Sequence, residues 1–206
     1  MGWWTDRMLP GITDRILGDE RIATVRAEVC AGLCGDIVEI GFGTGLNVAH
    51  YPATVTSVTA VEPSELSWEM AQPRIAASRT SVVRGGLDGQ RLDLPDASTD
   101  AALSTFTMCT IPDLDLALRE VSRVLRPGGR LHFLEHGLSS DPGVARWQRR
   151  LRPLNSRLGG GCQLNRPIDA YLDRSDLRVE RLETGYGEGP KAGAFRYVGT
   201  AVKPTA

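Results

Sequence analysis

Asp36-Ile37-Val38-Glu39-Ile40-Gly41-Phe42-Gly43-Thr44-Gly45 is the stretch of this chain that decides its fold. A short apolar run ends here in three glycines at alternate positions, which is typical of a buried strand that stops at a tight loop. Glycine permits positive φ and lets a ligand approach the backbone closely. We expect residues 46–51 to open a helix whose free N–H groups point back at the loop. The stretch therefore predicts a ligand site at the carboxyl end of a strand in an open α/β sheet.

The spacing of these glycines separates two kinds of nucleotide site. The dinucleotide fingerprint G-x-G-x-x-G would need its third glycine where this chain has Leu46. The chain instead has G-x-G-x-G preceded by Glu39, and this pattern resembles the first motif of class I S-adenosylmethionine-dependent methyltransferases. The cofactor that the resemblance implies is cationic at sulfur and carries no phosphate, so an acid beside the loop is acceptable.

Size and composition fit one α/β domain. The chain has 206 residues, of which 41% are hydrophobic, and its net charge of −1 gives no indication of nucleic-acid binding. No apolar run approaches the roughly 20 residues of a membrane span. The amino terminus lacks the order of a signal peptide, so we expect a cytoplasmic protein. The four cysteines do not fall at metal-binding spacings, and no metal site is predicted.

The second predicted strand, residues 57–61, ends at Glu62, which follows Gly41 by 21 positions. An acid at this distance suits a bidentate hydrogen bond to a ribose diol. The alternative is a solvated carboxylate at the start of a helix; beside the glycine loop we favour the ribose. Ser64 is placed to cap the following helix, which we predict to run through Ala77.

The third predicted strand, residues 81–84, leads into a second motif. Residues 87–100 resemble the G-D-A-x-x-L-P-F-P-D-x-S-F-D segment common in small-molecule methyltransferases. The resemblance makes Asp88 the acid that accepts the adenine amino group, although Leu87 replaces the family's glycine. Gly89 is then expected to offer its backbone amide to the ring.

The fourth predicted strand, residues 101–105, ends at Thr105, which we include among the cofactor-binding residues. A helix with apolar residues at helical spacing begins at Leu114. The block REVSRVLRPGGRLHFLEHG, residues 119–137, closely resembles the helix, turn and fifth strand of methyltransferases of the ubiquinone/menaquinone-biosynthesis type. With the earlier motifs, the resemblance covers roughly residues 20 to 138 in the right order.

Residues 139–175 interrupt the rhythm of strands and are predicted to be an insertion on the acceptor side. Their WQ…P…GGGC-L-N-R pattern, following Glu135-His136, resembles the alkyl-thiol methyltransferase-like branch of the same superfamily. The arginines of this insertion could bind an anionic substrate or make peripheral contact with a lipid surface. A solvated helix face is the simpler explanation for most of them.

The last two strands are predicted at residues 176–184 and 195–202. The connection between them is too short for a helical crossover, so the pair must be antiparallel. The elements together predict a Rossmann-like seven-stranded sheet, mostly parallel with an antiparallel last strand and helices on both faces, which is the class I methyltransferase fold. We treat the chain as one methyltransferase domain with an N-terminal lid and helix, a cofactor-binding core, an acceptor-side insertion and a terminal strand pair, at 1–34, 35–138, 139–175 and 176–206.

Most of the residues predicted on the acceptor side also have a structural explanation. Substrate contacts are assigned to an aromatic amino terminus, a thiol and two later aromatic residues, namely Trp3, Trp4, Cys109, Trp147 and Tyr186. Packing against the body is the alternative for the two tryptophans, which precede one predicted helix over residues 12–34, and a small buried thiol is the default for Cys109. His136 is the candidate general base because imidazole titrates near neutral pH; the alternative is a histidine satisfied by a carbonyl.

The predicted reaction transfers the sulfonium methyl group of S-adenosyl-L-methionine to a small acceptor and releases S-adenosylhomocysteine. Holding donor and nucleophile in line supplies much of the acceleration, so no catalytic triad is needed. Glu39, Gly41, Gly43 and Gly45 are expected to hold the methionine end. The acceptor is expected to be apolar or amphipathic, with O, S, N or C as the nucleophile, and a thiol would attack as its own thiolate.

Two other functions stay open at this point. One is a cofactor-binding protein without catalysis, and the other is a nicotinamide-dependent oxidoreductase, which Leu46 disfavours. A nucleic-acid methyltransferase is disfavoured because residues 110–113 replace the Asn/Asp-Pro-Pro-Tyr/Phe run used on exocyclic base amines. The oligomeric state is not visible in the sequence.

Overall fold

The computed structural model describes residues 7–205 as one seven-stranded sheet flanked by helices. The strands are β1 Gly35–Ile40, β2 Val55–Val61, β3 Ser81–Gly86, β4 Thr99–Thr105, β5 Leu125–His136, β6 Arg178–Tyr186 and β7 Phe195–Val202. Their order across the sheet is β3-β2-β1-β4-β5-β7-β6. The first five strands are parallel, and β7 runs antiparallel to both β5 and β6. The predicted mostly parallel sheet with an antiparallel last strand is confirmed.

Seven helices connect these strands within the described part of the chain. They are α1 Leu9–Leu17, α2 Glu20–Cys30, α3 Glu65–Ala77, α4 Leu114–Val124, α5 Pro142–Leu158, α6 Ile168–Asp173 and α7 Lys191–Ala194. The predicted cap of α3 is present, since the Ser64 hydroxyl accepts a hydrogen bond from the Ser67 amide at 3.2 Å. None of the helices in residues 7–205 combines the length and the apolar composition that crossing a bilayer requires.

The core forms two layers, one on each face of the sheet. Successive residues of a strand point to opposite faces, and in β1 both Ile37 and Val38 are almost fully buried. Val38 packs in the cluster that contains Leu118 of α4, and Ile37 packs in the cluster that contains Val29 of α2. Because helices cover both faces, only the edge at the carboxyl ends of the parallel strands is left open for a ligand.

The predicted single helix over residues 12–34 is wrong: the chain forms two helices, α1 and α2, which are separated at Gly18 and Asp19. The Asp19 carboxylate accepts a hydrogen bond from the Arg21 amide at 3.0 Å and caps α2. An N-cap residue has non-helical backbone dihedrals, so the cap that starts the second helix also ends the first. The break lets α1 turn across the carboxyl edge of the sheet.

The helix predicted to open directly after the glycine loop is also wrong. Residues 46–51 form turns and one short 3-10 element, Val48–His50. Gly45 lies in the left-handed region, and Tyr51, which precedes Pro52, is extended with ψ of 125°, so neither end of the segment has helical backbone dihedrals. The loop therefore gains no N-terminal helix dipole, and its ligand-binding groups are backbone amides and side chains.

Candidate active site

A cavity of about 620 Å³ opens at the carboxyl ends of β1, β2 and β4. This volume is in the range of pockets that enclose a cofactor-sized ligand. Six of the predicted cofactor residues line it, namely Gly41, Gly43, Glu62, Asp88, Gly89 and, at the end of β4, Thr105. Thr44 of the glycine loop lines it as well. The cavity thus gathers residues from three separate sequence motifs at one edge of the sheet.

The glycine loop holds a backbone conformation that a side chain would disturb. Gly41 has φ of +71°, and a Cβ atom at this position would overlap the side chain of Thr107. Gly43 and Gly45 have φ of +59° and +77°. Gly41 and Gly43 lie on the cavity wall, whereas Gly45 packs near Ala71 and is not a lining residue. A direct cofactor contact of Gly45 therefore stays a prediction.

Glu62 joins the glycine loop to the start of α3. One carboxylate oxygen accepts a hydrogen bond from the Gly43 amide at 2.7 Å, and the other accepts one from the Ser64 amide at 2.7 Å. Burial raises the pKa of Glu62, and the two amide hydrogen bonds oppose this shift. The side chain lines the cavity at the position where the sequence predicts a ribose contact.

Asp88 and Gly89 form the rim of the cavity beyond β3. The Asp88 side chain is exposed and accepts hydrogen bonds from the backbone amide and side-chain amide of Gln90, at 2.8 and 3.1 Å. A Cβ atom on Gly89 would lie 2.6 Å from the side chain of Ile40, so the chain approaches the strand closely here. The predicted adenine-binding pair therefore lies at the cavity.

Glu39 is fully buried beneath the cavity and does not line it. Its carboxylate accepts hydrogen bonds from the Asn47 side chain at 2.9 Å and from the Tyr51 hydroxyl. Burial raises the pKa of Glu39 to about 7, although these hydrogen bonds oppose the shift. All the hydrogen bonds described for Glu39 are to the protein, so its contact with the methionine end stays a prediction.

Arg26 on α2 is a cavity residue that the sequence reasoning missed. Its guanidinium donates to the Asn47 side chain at 2.7 Å and to the Thr105 hydroxyl at 2.8 Å, and it lies 5.4 Å from the ring centre of Phe106. The residue is 3% exposed, and its Nε atom has no hydrogen-bond partner among the described residues. Burial lowers the pKa of Arg26, and Glu39 partly offsets this. A positive charge on the apolar face of a helix was the available sequence signal.

Asp14 on α1 is the second missed residue, and it ties the amino-terminal helix to the glycine loop. Its carboxylate accepts hydrogen bonds from the Thr44 hydroxyl at 2.5 Å and from Arg74 at 2.9 Å, and Arg74 also donates to the Thr44 carbonyl. Burial raises the pKa of Asp14, but the hydrogen bonds from Thr44 and Arg74 outweigh it and the net shift is downward. With Leu17, Asp14 lines the cavity, so α1 borders the site, and a role as a lid stays a prediction.

Phe106 lies between the cavity and His136. It follows β4 with φ of +55°, an unusual conformation for a bulky residue, and such strain is concentrated at functional sites. Phe106 lines the cavity, and its ring lies 4.5 Å from that of His136. His136 itself does not line the cavity. A direct role for this histidine as general base therefore stays a prediction.

Two thiols lie next to His136. The Cys109 and Cys162 sulfurs are 3.4 Å apart and share a hydrogen bond, and all four cysteines of the chain are free. The hydrogen bond with Cys109 lowers the pKa of Cys162, burial opposes this, and His136 assists it. Cys162 is the third missed residue. The chain positions of the two thiols are 53 apart, so no local spacing could have paired them.

The remaining predicted substrate residues lie away from the cavity wall. Trp147 on α5 is 57% exposed and stacks with Arg150, and the Tyr186 hydroxyl shares a hydrogen bond with Ser139 at 2.6 Å. Their substrate contacts stay predictions. Trp3 and Trp4 lie outside the described residues.

The cavity has side chains that could hold a nucleoside, and two thiols and an imidazole lie close together beyond it. Carboxylates at Glu62 and Asp88 accept hydrogen bonds from hydroxyl and amino groups, and a buried cation at Arg26 favours an anionic group. Beyond Phe106, soft sulfur and imidazole donors converge.

The chain is similar in sequence and in fold to known methyltransferases. Residues 38–133 match a family model described as a methyltransferase domain. The thiol S-methyltransferase TMT1B of Rattus norvegicus is 33% identical over 155 residues, which are 71% of this chain and 62% of that relative. The chain thus spans less than two thirds of the length of that protein.

Two further similarities concern a shorter segment and the fold. The ubiquinone/menaquinone biosynthesis C-methyltransferase UbiE of Caulobacter sp. strain K31 is 54% identical over 48 residues, which are 23% of this chain and 19% of that relative. A crystal structure from Thermotoga maritima, described as an S-adenosylmethionine-dependent methyltransferase and possible histamine N-methyltransferase, superposes with a TM-score of 0.68 at 23% identity. The superposition covers 97% of this chain and 98% of that one, which shows a shared fold.

Proposed function

We propose, from the premise that this chain belongs to the class I S-adenosylmethionine-dependent methyltransferases, that it methylates a small thiol. S-adenosyl-L-methionine is the cofactor of this family. The observation that carries the proposal is the cavity itself, where the glycine loop, Glu62 and Asp88 form one wall and Phe106 separates it from the paired thiols. The choice of a thiol acceptor draws on the activity named for the rat relative.

The reaction is a displacement at the sulfonium methyl carbon. The acceptor sulfur forms a bond to that carbon while the carbon–sulfonium bond breaks and its electron pair stays on S-adenosylhomocysteine. The leaving group is already activated, so the protein mainly has to hold the two partners in line, an effect worth on the order of 7–11 kcal/mol in ideal models. The acceptor proton is lost to solvent, because a free thiol with a pKa of about 8.5 ionises readily near neutral pH.

In this proposal, each residue of the cavity wall contacts a different part of the cofactor. Glu62 accepts hydrogen bonds from the ribose hydroxyls, exchanging its Gly43 bond for a ligand bond, and Asp88 accepts one from the adenine amino group. Gly41 and Gly43 lie against the methionine end, and Gly89 offers its amide to the ring.

Arg26 is proposed to bind the cofactor's carboxylate, because it is the buried cation on the cavity wall and its Nε atom lacks a partner among the described residues. Glu39 then acts as a positioning residue rather than a ligand. It orients Asn47, which in turn contacts Arg26 and Thr105.

The two alternative functions differ from this proposal in the cofactor that binds or in whether a product forms. The nicotinamide-dependent oxidoreductase is not favoured, since the similarities are to methyltransferases. A cofactor-binding protein without catalysis would bind S-adenosylmethionine but form no product. We also propose a cytoplasmic location. The four cysteines are free, and free thiols are the usual state of cysteines in a reducing compartment.

Calorimetric titration with S-adenosylmethionine, S-adenosylhomocysteine and NADH tests the cofactor, and turnover with a panel of thiols, phenols and amines tests the acceptor. We expect the two adenosyl compounds to bind, NADH not to bind, and only thiols to gain 14 Da with release of S-adenosylhomocysteine. Arg26→Met is expected to lose at least tenfold in cofactor affinity, whereas Arg21→Met, an exposed arginine on the same helix, keeps it. Binding of NADH alone, or methylation of phenols but not thiols, would overturn the proposal.

A further inference from the structure

Cys109, His136 and Cys162 bring three metal-type donor atoms together on the acceptor side. One sulfur or nitrogen atom from each residue lies within 4.8 Å of the other two. Cys109 lies in the loop after β4, His136 ends β5, and Cys162 lies in the loop after α5. The sequence predicted no metal site because these residues are far apart along the chain. We call them the thiol–imidazole cluster.

The donor set and its dimensions fit zinc. Two thiolates and an imidazole are the soft and borderline ligands that Zn²⁺ prefers. Zn–S bonds of about 2.3 Å in a tetrahedron place two sulfurs about 3.8 Å apart. The observed separation of 3.4 Å is close to this value and far longer than a disulfide bond of about 2.05 Å.

The loops that carry the cluster are held together without any help from a ligand. The Gln163 amide donates to the Cys109 carbonyl at 2.9 Å, which fastens the Cys162 loop to the Cys109 loop. Arg166 is 4% exposed and donates to the carbonyls of Met108 and Ile111, on either side of the cysteine. These hydrogen bonds hold the backbone around the donor atoms in place, as the residues that surround the ligands do in known metal sites.

The cluster is partly exposed and lies next to residues that line the cofactor cavity. Cys109 is buried, but His136 and Cys162 keep partial exposure. Phe106, whose ring contacts His136, lines the cavity, and so do Thr110 and Gly160, neighbours of the two cysteines in sequence. Three protein ligands with an open fourth position are the pattern of a catalytic zinc site rather than a structural one.

We propose that the thiol–imidazole cluster binds Zn²⁺ and that the open fourth position takes the sulfur of the acceptor thiol. The inference rests on the proposed function, since it supplies that reaction's nucleophile. The acceptor R–SH loses its proton to water when its sulfur binds the metal. The bound thiolate then attacks the methyl carbon of S-adenosylmethionine, the carbon–sulfonium bond breaks, and S-adenosylhomocysteine and the thioether R–S–CH₃ leave. Arg166 offsets the additional negative charge that the third thiolate brings.

Metal content is the first test. The full chain is purified with zinc and a phosphine reductant, dialysed against metal-free buffer and analysed by mass spectrometry for bound metal. We expect about one zinc per chain, as for three strong ligands. Cys162→Ala should lose it, and Cys34→Ala, which removes an exposed cysteine outside the cluster, should keep it. Zinc that is absent from the wild-type protein and fails to bind on titration would overturn the proposal.

Cobalt substitution tests the coordination and the acceptor. The Co²⁺ protein should show thiolate-to-metal charge-transfer absorption in the near ultraviolet. This absorption should be lost in Cys162→Ala. In His136→Ala it should be weaker but still present, because both thiolates remain. Adding the acceptor thiol should raise this absorption without S-adenosylmethionine present, because a third thiolate joins the metal. An unchanged spectrum at saturating acceptor would overturn the fourth-ligand assignment. A mass 2 Da below that of the reduced chain, with a Cys109–Cys162 peptide, would show a redox pair in place of a metal site.

Cofactor binding separates this inference from the function on which it rests. The cluster does not line the cavity, so Cys162→Ala should bind S-adenosylhomocysteine within twofold of wild type while losing zinc and thiol turnover. A zinc-loaded wild-type chain that binds neither adenosyl compound would defeat the proposed function and leave the metal site standing. Full thiol turnover by Cys162→Ala would defeat the metal site and leave the function standing.

Discussion

The two halves of this active site are encoded in different ways. The cavity wall that is proposed to bind the cofactor consists of short local segments, in which the functional residue and its structural reason are neighbours in sequence. Gly41 follows one buried strand, and Glu62 follows the next one. The thiol–imidazole cluster has no such segment, because its three residues come from three separate loops and strand ends. A cofactor shared by many enzymes leaves a local signature, whereas acceptor chemistry is assembled by tertiary contacts.

The largest effect is expected from adding one methyl group to the glycine loop, which tests whether this local segment forms the cofactor site. Gly41→Ala places a side chain at φ of +71° and against Thr107, so the loop must shift. We expect S-adenosylhomocysteine affinity to fall on the order of 100-fold, or about 2.7 kcal/mol. Gly185→Ala is the matched control, because nothing lies within 4 Å of a Cβ atom there. Calorimetric affinity within threefold of wild type would show that the loop conformation does not define the site.

Glu39 belongs to the glycine motif in sequence, but its contacts are with Asn47 and Tyr51 inside the protein. Its ionisation can therefore be tested through the stability of the fold. Its folded-state pKa is raised from 4.5 to about 7, so the native protein holds a proton that the unfolded chain releases. Stability must therefore decline as pH rises from about 4.5 to 7, by at most about 3 kcal/mol from this group. Glu39→Gln should remove that part of the decline.

Urea unfolding of wild type and Glu39→Gln between pH 4.5 and 8 measures this effect. Each protein is compared with itself across pH, so that any change in packing cancels. Glu69→Gln, an exposed acid on α3, controls for net charge. Parallel pH profiles for wild type and Glu39→Gln would show that the carboxyl group is ionised in the native protein.

Glu62 and Glu65 compare two acids three positions apart. Glu62 is buried on the cavity wall, whereas Glu65 is exposed and forms an ion pair with Arg84 at 2.8 Å. Hydrogen bonds to a charged group contribute about 1.5–3 kcal/mol, so Glu62→Ala should weaken S-adenosylmethionine binding roughly 10- to 100-fold. Glu65→Ala should change it less than twofold. Equal losses in the two variants would mean that the effect is a general one of the helix start.

The smallest effect is expected on the acceptor side, at Trp147. Sequence reasoning placed this residue at the substrate, yet its side chain is 57% exposed and stacks with Arg150. We therefore expect Trp147→Ala to change kcat and the acceptor KM by less than twofold, as exposed substitutions usually do. A KM raised tenfold with unchanged cofactor affinity would extend the acceptor site onto α5.

These contrasts explain what the sequence could and could not predict. The antiparallel last pair and the Ser64 cap follow from loop length and capping rules, which act over a few residues. The fold class as a whole followed from the resemblance of the motifs to those of class I methyltransferases. The break at Gly18–Asp19 was missed because Asp19 also fits the pattern of a continuous helix. Asp19 acts as a cap because its carboxylate accepts a hydrogen bond from the Arg21 amide. Arg26 and Cys162 were missed because a buried cation and a paired thiol are defined only by partners distant in sequence.

The hydrogen bonds between Asp14, Thr44 and Arg74 have a kinetic consequence. They join a helix that borders the cavity to the glycine loop, so this helix moves away from the loop only when these bonds open. The ion pair between Arg74 and Asp14 is partly exposed and therefore weakened by salt. We expect the opening of this helix, rather than the methyl transfer, to limit turnover, as in enzymes whose lids limit product release.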